Sequence, residues 1–269
     1  MTNAFHAFEQ AGWNRAAQPY ADAFATLTPQ TAGPLLEAAG VVAGTRLLDV
    51  ASGPGFIAAA ALARGAVATA LDFSPAMIAE AARRHPGLVV QEGDASALPF
   101  PDASFDAVVM NFGMLHLARP DEAIAEARRV LRPGGRYAFT VWAAPTEAVA
   151  FGIVLRAIER LGNKDVPLPE GPPFFRFSSP DESRQTLEAA GFTDVGVRTV
   201  PLIWRVAKAD DVFEALAKGG VRTAAVLHAQ TPAALDAVRE AVRADIEAYA
   251  HGNGIEVPMP AILSVATKP

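Results

Sequence analysis

Short apolar runs alternate with alanine-rich segments of helical character between about residues 45 and 141. The apolar runs are rich in β-branched and aromatic residues, which is typical of strands. Five strands are predicted in this region, at residues 46–50, 66–72, 87–93, 105–113 and 136–142. Because strands that alternate with helices form parallel sheets, the pattern predicts a doubly wound α/β sheet with helices on both faces.

The segments before residue 45 and after residue 141 follow less regular patterns. With them, the whole chain is predicted to form a single domain of four parts. These parts are helices at 1–40, a ligand-binding core at 41–143, substrate-side insertions with a sixth strand at 144–260, and the last strand at 261–268. The aromatic side chains of the first part leave two interpretations open: a helical layer packed on the sheet, or a helical lid over a ligand site. Within the insertions, the pattern predicts a strand at 194–204 and a helix that begins after Thr231 and ends at Gly252.

Composition narrows the class of protein. Hydrophobic residues make up 51 % of the 269 residues, as in ordinary globular proteins, and no uncharged apolar run reaches the ~18 residues of a membrane-spanning helix. A net charge of −6 argues against nucleic acid or an anionic membrane as a partner. The amino terminus lacks the pattern of a signal peptide, so we expect a cytoplasmic protein.

The chain contains no cysteine, which excludes disulfides, thiolate nucleophiles and cysteine-ligated metals. Its histidine, aspartate and glutamate residues show no spacing typical of metal ligands. We therefore expect a metal-independent protein.

The sequence LLDVASGPGF at 47–56 joins the first predicted strand to the next helix. Gly53 and Gly55 allow a sharp turn and bring backbone N–H groups close to a ligand at a helix amino terminus. The run GPGFIA also fits the G-x-G-x-x-A fingerprint of dinucleotide-binding proteins, so an NAD-dependent oxidoreductase is one interpretation. Asp49 disfavours it, because a carboxylate before the glycines suits a cationic amino group better than a phosphate.

Four polar side chains stand at the carboxyl ends of predicted strands: Asp49, Asp72, Asp94 and Asn111. Ligands of open α/β sheets bind at this edge, so we expect these side chains to form one site. Asp72 suits ribose hydroxyls in either interpretation of the glycine loop. Asp94 and the backbone of Ala95 suit the edge of an adenine ring, which a carboxylate and an amide N–H read together.

The ordered motifs LLDVASGPG, ALDFS, GDASALPF, FDAVVMNFGMLHL and LRPGG resemble those of the class I S-adenosylmethionine-dependent methyltransferases. Within that class they are most similar to the small-molecule branch that includes the ubiquinone/menaquinone methyltransferases. The resemblance implies S-adenosyl-L-methionine as the cofactor and a Rossmann-like seven-stranded sheet, parallel except for a reversed last strand. The family pattern often has a glycine where this chain has Ala51, a mild departure because alanine is also small.

The resemblance also implies a role in cofactor binding for three groups of residues. Those around the methionine part of the cofactor are Asp49, Ala51, Gly53 and Gly55. Those around the ribose and adenine are Asp72, Phe73, Met77, Asp94 and Ala95. Those near the methionine and the reaction centre are Asn111 and Phe112.

The methyl acceptor is expected to be a small, largely apolar or aromatic molecule, with an O-, N- or C-acceptor atom left open. Methyl transfer is an in-line displacement, so holding the acceptor against the methyl carbon supplies much of the rate. Aromatic side chains of the variable segments are the candidates for the acceptor site: Trp13, Tyr20, Trp142, Phe174 and Phe175. His116, after the fourth predicted strand, is either a general base for a hydroxyl acceptor or a structural element. A cofactor-binding protein without catalysis is a further alternative.

Overall fold

The computed structural model describes residues 4–269. Within these residues, ten strands follow one another: β1 (Arg46–Val50), β2 (Val67–Asp72), β3 (Val89–Glu92), β4 (Phe105–Asn111), β5 (Leu131–Trp142), β6 (Thr193–Val200), β7 (Ile203–Val206), β8 (Ala250–His251), β9 (Gly254–Pro258) and β10 (Ala261–Thr267). The helices are α1 (Ala4–Ala23), α2 (Ala32–Ala38), α3 (Phe56–Ala63), α4 (Pro75–Arg84), α5 (Pro120–Val130), α6 (Val149–Leu161), α7 (Pro180–Ala189), α8 (Ala209–Gly219), α9 (Arg222–His228) and α10 (Pro232–Glu247). Short 3₁₀ turns also form at Thr28–Thr31, Met114–His116 and Arg176–Ser178.

The main sheet contains seven strands in the order β3-β2-β1-β4-β5-β10-β6. Pairing is parallel from β3 through β5, whereas β10 is antiparallel to both β5 and β6. β1 and β4 are neighbours at the point where the strand order reverses, which is where ligands bind in doubly wound sheets. The predicted fold class is therefore confirmed, including the reversed last strand.

Local sequence explains where two of the helices begin. Ser74 Oγ accepts the N–H of Met77 at 3.2 Å at the start of α4, and Pro75 takes the first helical position. Thr231 Oγ accepts the N–H of Ala234 at 3.3 Å at the start of α10. The predicted starts of both helices are thus confirmed, and each is fixed by a side-chain cap followed by proline.

The insertion before the last strand differs from the prediction. The predicted strand at 194–204 is interrupted after Val200, where Pro201 cannot donate to a strand ladder, and Trp204 lies in β7 instead. β7, β9 and β8 form a second, antiparallel sheet, so this insertion is not wholly helical. α10 ends at Glu247, and Gly252, with φ +58°, lies in the turn between β8 and β9 rather than at the helix end.

Apolar side chains of the main sheet and its helices form one large core, in which Trp204, Tyr137 and Phe139 are fully buried. A smaller cluster joins Trp13 of α1 to Met77 of α4 and so fixes the amino-terminal helix against the sheet layer. No helix within residues 4–269 is both long and apolar enough to cross a membrane.

Candidate functional site

A cleft opens at the carboxyl edge of the main sheet, where ligands of doubly wound sheets bind. Its walls come from α1 and from the segments after β1, β2, β3 and β4, and we call it the strand-end cleft. The predicted site residues that line it are Trp13, Tyr20, Ala51, Gly53, Asp72, Phe73, Met77, Asp94, Ala95, Asn111, Phe112 and His116. Lining residues that the sequence did not assign include His6, Ser96 and Arg119.

The carboxylate of Asp72 holds the glycine loop that follows β1. Its Oδ2 accepts the N–H of Gly53 at 2.8 Å, and its Oδ1 accepts the N–H of Ser74 at 2.9 Å. Burial raises the pKa of Asp72 to about 6, against the opposing effect of these backbone hydrogen bonds. Because each carboxylate oxygen has two lone pairs, Asp72 keeps acceptor capacity toward the cleft.

The two glycines of the loop have different surroundings. Gly53, with φ +52°, lines the cleft, and a Cβ added there would meet Met77 Sδ at 3.9 Å. Gly55, with φ +82°, lies outside the cleft lining, and an added Cβ would approach Leu88 Cδ2 to 2.9 Å. The left-handed backbone of Gly53 therefore favours glycine although space is available, whereas Gly55 also allows the start of α3 to lie close to α4 and Leu88.

Asp49 lies beneath the loop and does not line the cleft. Its fully buried Oδ2 accepts the N–H of Ala58 at 3.0 Å, in the first turn of α3. Burial raises the pKa of Asp49 to about 8; the Ala58 hydrogen bond opposes this rise and the charge of Asp72 adds to it. Oδ1 has no hydrogen-bond partner among the described residues.

Asp94 places a negative charge in the cleft wall after β3. Its Oδ1 accepts the backbone N–H and the hydroxyl of Ser96 at 2.8 and 2.7 Å, and its Oδ2 lies 3.5 Å from Arg119 Nη2 and 3.9 Å from His6 Nδ1. Burial acts to raise the pKa of Asp94, but the Ser96 hydrogen bonds and the nearby His6 and Arg119 outweigh it and lower the pKa. Asp94 is therefore an ionised acceptor at neutral pH.

Asn111 connects the end of β4 to two other parts of the chain. Its Oδ1 accepts the hydroxyl of Thr31 at 2.7 Å and that of Thr140 in β5 at 2.5 Å. The next residue, Phe112, has φ +53° and stacks on Trp142, with ring centroids 4.0 Å apart and planes at 26°. This left-handed residue turns the aromatic ring back over β5 and separates the strand-end cleft from the space beyond it.

A second cavity adjoins the strand-end cleft, and we call it the aromatic cavity. The residues that line both spaces are Trp13, Tyr20, Phe112 and His116. The aromatic cavity is further lined by Phe24, Trp142, Phe151, Phe174, Leu216, Gly219, Gly220, Val221, Arg222 and Thr223. Phe175 lies in an outer surface cleft that shares Phe151 and Phe174 with this cavity. Trp142 and Phe174 thus join Trp13 and Tyr20 in one aromatic wall, whereas Phe175 lies at its periphery.

His116 stands where the strand-end cleft and the aromatic cavity meet. Its Nδ1 lies 3.0 Å from Oε2 of Glu9, a fully buried residue of α1. Trp13 and Phe174 contact the imidazole ring edge to face, with centroids at 4.7 and 5.8 Å. Arg222 donates from Nε to Glu9 Oε1 at 2.8 Å. The geometry is that of a histidine oriented by a buried carboxylate.

Glu9 and Arg222 were not identified from the sequence. Glu9 falls between Phe5 and Trp13 at four-residue spacing, so an acid on the apolar face of a helix was the available signal. Arg222 follows two glycines and a valine and carries no comparable local signal. Its role becomes visible only in the folded chain.

Comparison with known proteins gives the family. A methyltransferase-domain family model matches residues 48–139. A demethylmenaquinone methyltransferase of Renibacterium salmoninarum is 34 % identical over 175 residues, which make up 62 % of this chain and 74 % of that protein. A ubiquinone/menaquinone biosynthesis C-methyltransferase of Roseobacter denitrificans is 44 % identical over 102 residues, 35 % of this chain and 41 % of that protein. The chain thus spans about three quarters of the first relative and less than half of the second.

A solved structure supports the fold. Phosphoethanolamine N-methyltransferase 2 of Haemonchus contortus, in complex with S-adenosylhomocysteine, matches with a TM-score of 0.60 and 18 % identity over all of this chain and 61 % of that one. Fold and family together define a class I S-adenosylmethionine-dependent methyltransferase. The chain belongs to the branch of that family that includes the demethylmenaquinone methyltransferases. Its cofactor is S-adenosylmethionine, as the resemblance to this family implied.

The strand-end cleft fits that cofactor chemically. The sulfonium cofactor carries an amino group, two ribose hydroxyls and an adenine ring, which need acceptors for N–H and O–H donors and apolar surface for the ring. The cleft offers the carboxylates of Asp72 and Asp94 and the apolar side chains of Phe73 and Met77. The residues present therefore match the donors and the apolar ring of the group that the family binds.

Proposed function

We propose that this protein methylates a small hydroxylated aromatic molecule, of the phenol or hydroquinone class, with His116 as the general base. The observation that carries the proposal is the position of His116, which lines both the strand-end cleft and the aromatic cavity. A base at this junction lies between the place suited to the cofactor and the place suited to an aromatic acceptor. The named relatives act, by their names, on demethylmenaquinone and in ubiquinone/menaquinone biosynthesis, which supports a ring acceptor.

The cofactor is assigned to the strand-end cleft. Asp72 would accept the ribose hydroxyls, Asp94 with Ala95 would bind the adenine edge, and Phe73 and Met77 would contact the adenine face. Around the methionine part, Gly53 and Ala51 allow close approach. Asp49 was predicted for the methionine part, but it lies buried beneath the loop and outside the cleft lining, so it would support the loop and the start of α3 instead of contacting the ammonium group. The other assignments extend the predicted roles with the observed lining of the cleft.

The aromatic cavity is assigned to the acceptor. Its walls are largely aromatic, and its charged side chain, Arg222, is already engaged by Glu9 and by the carbonyl oxygens of Pro172 and Leu115. An anionic acceptor would therefore find no free positive partner among the described lining residues. The cavity favours a flat, neutral, apolar ring, which aromatic side chains bind by stacking and edge contacts.

The chemistry follows from this arrangement. S-adenosylmethionine supplies an electrophilic methyl carbon bonded to a positively charged sulfur. His116 accepts the hydroxyl proton at Nε2, which leaves the electron pair on the acceptor oxygen and, by conjugation, on the ring carbons. The activated oxygen or ring carbon would then take the methyl group that the bound cofactor supplies, with S-adenosylhomocysteine as the leaving product. His116 would pass its proton to solvent after O-methylation, or back to the oxygen after C-methylation, where the methylated ring carbon loses its own proton to solvent. The aromatic walls exclude water and hold the ring at the contact distance that in-line displacement requires.

An assay with the purified protein tests the proposal. S-adenosylmethionine is supplied with naphthohydroquinones, simple phenols and aromatic amines, and methylated products are detected by mass spectrometry and assigned as O- or C-methylated by NMR. We expect hydroxylated rings to be methylated and His116→Ala to lower kcat at least ~100-fold. His251→Ala, at an exposed histidine of β8, is the matched control and should retain the wild-type rate. Methylation of amines alone, or a His116→Ala rate equal to wild type, would overturn the proposal.

A further inference from the structure

Three side chains from distant parts of the sequence form a continuous buried chain of contacts. Glu9 Oε2 lies 3.0 Å from His116 Nδ1, and Glu9 Oε1 accepts from Arg222 Nε at 2.8 Å. Arg222 also donates from Nη1 to the Pro172 carbonyl and from Nη2 to the Leu115 carbonyl, each at 2.8 Å. Leu115 immediately precedes His116, so the guanidinium holds the backbone beside the histidine as well as its carboxylate partner.

The burial of Glu9 makes this arrangement energetically demanding. The Glu9 side chain is fully buried, and the side chains of His116 and Arg222 are only 15 % and 16 % exposed. A buried carboxylate is costly unless charged or polar partners satisfy it, and here each oxygen has one. Arg222 compensates the negative charge, while its guanidinium lies over the Phe5 ring at 4.3 Å. Glu9 is thereby held as an acceptor directed at one nitrogen of His116.

The contact with Glu9 decides which nitrogen of His116 carries a proton. A neutral imidazole has one N–H and one lone pair, and a carboxylate accepts only from the N–H. With Glu9 at Nδ1, the proton resides there and Nε2 keeps the lone pair. The ring cannot turn freely, because Trp13 and Phe174 contact it edge to face.

We infer that Glu9 and Arg222 are positioning residues for the proposed general base: Glu9 fixes the Nδ1–H tautomer of His116, and Arg222 holds Glu9 in place. This inference rests on the proposed function of His116 as the base. Glu9 lies on α1, His116 in the turn after β4 and Arg222 on α9. The amino-terminal helix and the insertion before the last strand therefore each supply one residue that positions the base. Helix α1 is then a component of the catalytic apparatus in addition to a wall of the cleft.

The substitution Glu9→Gln tests the inference directly. Glutamine keeps the shape, but its amide can donate to Nδ1, which favours the tautomer with the proton on Nε2. We expect kcat to fall at least ~100-fold, while KM for the acceptor and the Kd for S-adenosylhomocysteine change by less than ~3-fold. Glu9→Asp, which restores a carboxylate, should recover part of kcat. A larger loss of binding than of kcat would show a structural role and overturn the inference.

A spectroscopic readout separates this inference from the proposed function. The ¹⁵N chemical shifts of the His116 ring nitrogens, assigned by comparison with His116→Ala, report the tautomer without any acceptor or turnover. We expect the Nδ1–H form in the wild type and in Glu9→Asp, and the Nε2–H form in Glu9→Gln. An Nε2–H form in the wild type would overturn the positioning role even if methylation is observed. Conversely, the Nδ1–H form together with full activity of His116→Ala would refute the base while leaving the orientation by Glu9 intact.

Two further variants control for loss of folding. Arg222→Lys keeps a positive charge but loses the forked contacts to the two carbonyl oxygens, so we expect an intermediate kcat and a folded protein. Glu256→Gln removes a carboxylate from the exposed Arg205–Glu256 pair on the second sheet. We expect this control to match the wild type in kcat and in the His116 spectrum. If Glu256→Gln lowers kcat as much as Glu9→Gln does, the effect is not specific to Glu9 and the inference fails.

Discussion

The N–H of Gly53 donates to Oδ2 of Asp72 at 2.8 Å, so the acid at the end of β2 holds the loop that follows β1. Two neighbouring parallel strands are thereby joined at the edge where the strand-end cleft opens. The same carboxylate accepts from Ser74 at the start of α4. One side chain thus fixes the loop after β1 and the start of α4 while it also faces the ligand site.

This relationship predicts the effect of Asp72→Asn on cofactor binding. An amide cannot accept on both sides, so one of the N–H groups of Gly53 and Ser74 would face a donor, and a ribose hydroxyl would lose its charged acceptor. A hydrogen bond to a charged group is worth about 1.5–3 kcal/mol, so we expect the Kd for S-adenosylhomocysteine to rise at least ~10-fold in calorimetric titration. Asp236→Asn, at an exposed position on α10, should bind as the wild type does. Equal Kd values for the two variants would exclude a role of Asp72 in binding.

Asp49 makes the stability of the cofactor-free protein depend on pH. Its pKa of about 8 lies above the ordinary value of 3.8, because burial disfavours the charged form. The folded state therefore binds the proton more tightly than the unfolded state, and the resulting stabilisation is present below pH 4 and is lost as the pH rises toward 8. Residue 49 does not titrate in the variant Asp49→Asn. The free energy of unfolding of this variant should therefore rise relative to that of the wild type as the pH rises toward 8.

Urea unfolding at pH 5, 6.5 and 8 measures this difference. One pKa unit corresponds to about 1.4 kcal/mol, so we expect the wild type to lose roughly 2–4 kcal/mol relative to Asp49→Asn between pH 5 and 8. Asp72 titrates in both proteins, and its contribution largely cancels in the comparison. Asp236→Asn serves again as the control, with a difference from wild type that does not vary with pH. If the free energies of unfolding of Asp49→Asn and the wild type differ by the same amount at every pH, burial does not raise the pKa of Asp49.

The sequence predicts well those features that follow from the order and direction of the strands. The acids at the ends of β2 and β3 were predicted to share one site, because parallel strands end at one edge, and Asp72 and Asp94 both line the strand-end cleft. Their roles toward the cofactor stay predictions. The prediction of a continuous strand at 194–204 was wrong. The apolar pattern continues through Pro201, but proline has no N–H to donate to a neighbouring strand, so the strand is interrupted there.

Features that depend on contacts between residues far apart in the chain could not be predicted from the sequence. Glu9 and Arg222 are 213 residues apart in the chain, and only the packing of α1 and α9 brings them together. Likewise, nothing local to Trp142 indicates that Phe112 folds back upon it, because this depends on the left-handed backbone of Phe112. Tertiary packing, rather than local propensity, assembles this part of the site.

The close surroundings of Gly113 in the strand-end cleft predict that a larger residue there destabilises the protein. A Cβ at this position would lie 2.6 Å from the Cβ of Ala51 and 2.8 Å from Met110 Cγ, so Gly113→Ala forces the segments after β1 and β4 apart. We expect a loss of about 1–3 kcal/mol of unfolding free energy and weaker binding of S-adenosylhomocysteine. Gly33→Ala is the matched substitution, since nothing lies within 4 Å of an added Cβ there and the residue is in α2.

Thermal and urea unfolding distinguish these two glycine variants. Alanine is favoured over glycine in helices by about 0.5–1 kcal/mol, so Gly33→Ala should be slightly more stable than the wild type and bind the ligand equally well. If both variants lose stability to the same extent, backbone conformation rather than close contact with Ala51 explains the effect at Gly113.

The stack of Phe112 on Trp142 predicts a separation between acceptor binding and cofactor binding. Trp142 lines the aromatic cavity but not the strand-end cleft, whereas Phe112 lines both. Trp142→Phe keeps a ring for Phe112 to contact but removes part of the cavity wall. For a methylated hydroxyarene, we therefore expect KM to rise by ~10-fold and the Kd for S-adenosylhomocysteine to change by less than ~2-fold.

The control for Trp142→Phe is another buried aromatic substitution, Tyr137→Phe. Tyr137 is fully buried in β5, its hydroxyl has no partner among the described residues, and it lines none of the cavities described above. Removing that hydroxyl should leave KM unchanged and leave stability equal or higher, because an unsatisfied buried polar group is lost. If Trp142→Phe weakens cofactor binding as much as acceptor binding, the stacked pair supports both sites together, and the aromatic cavity does not bind the acceptor independently.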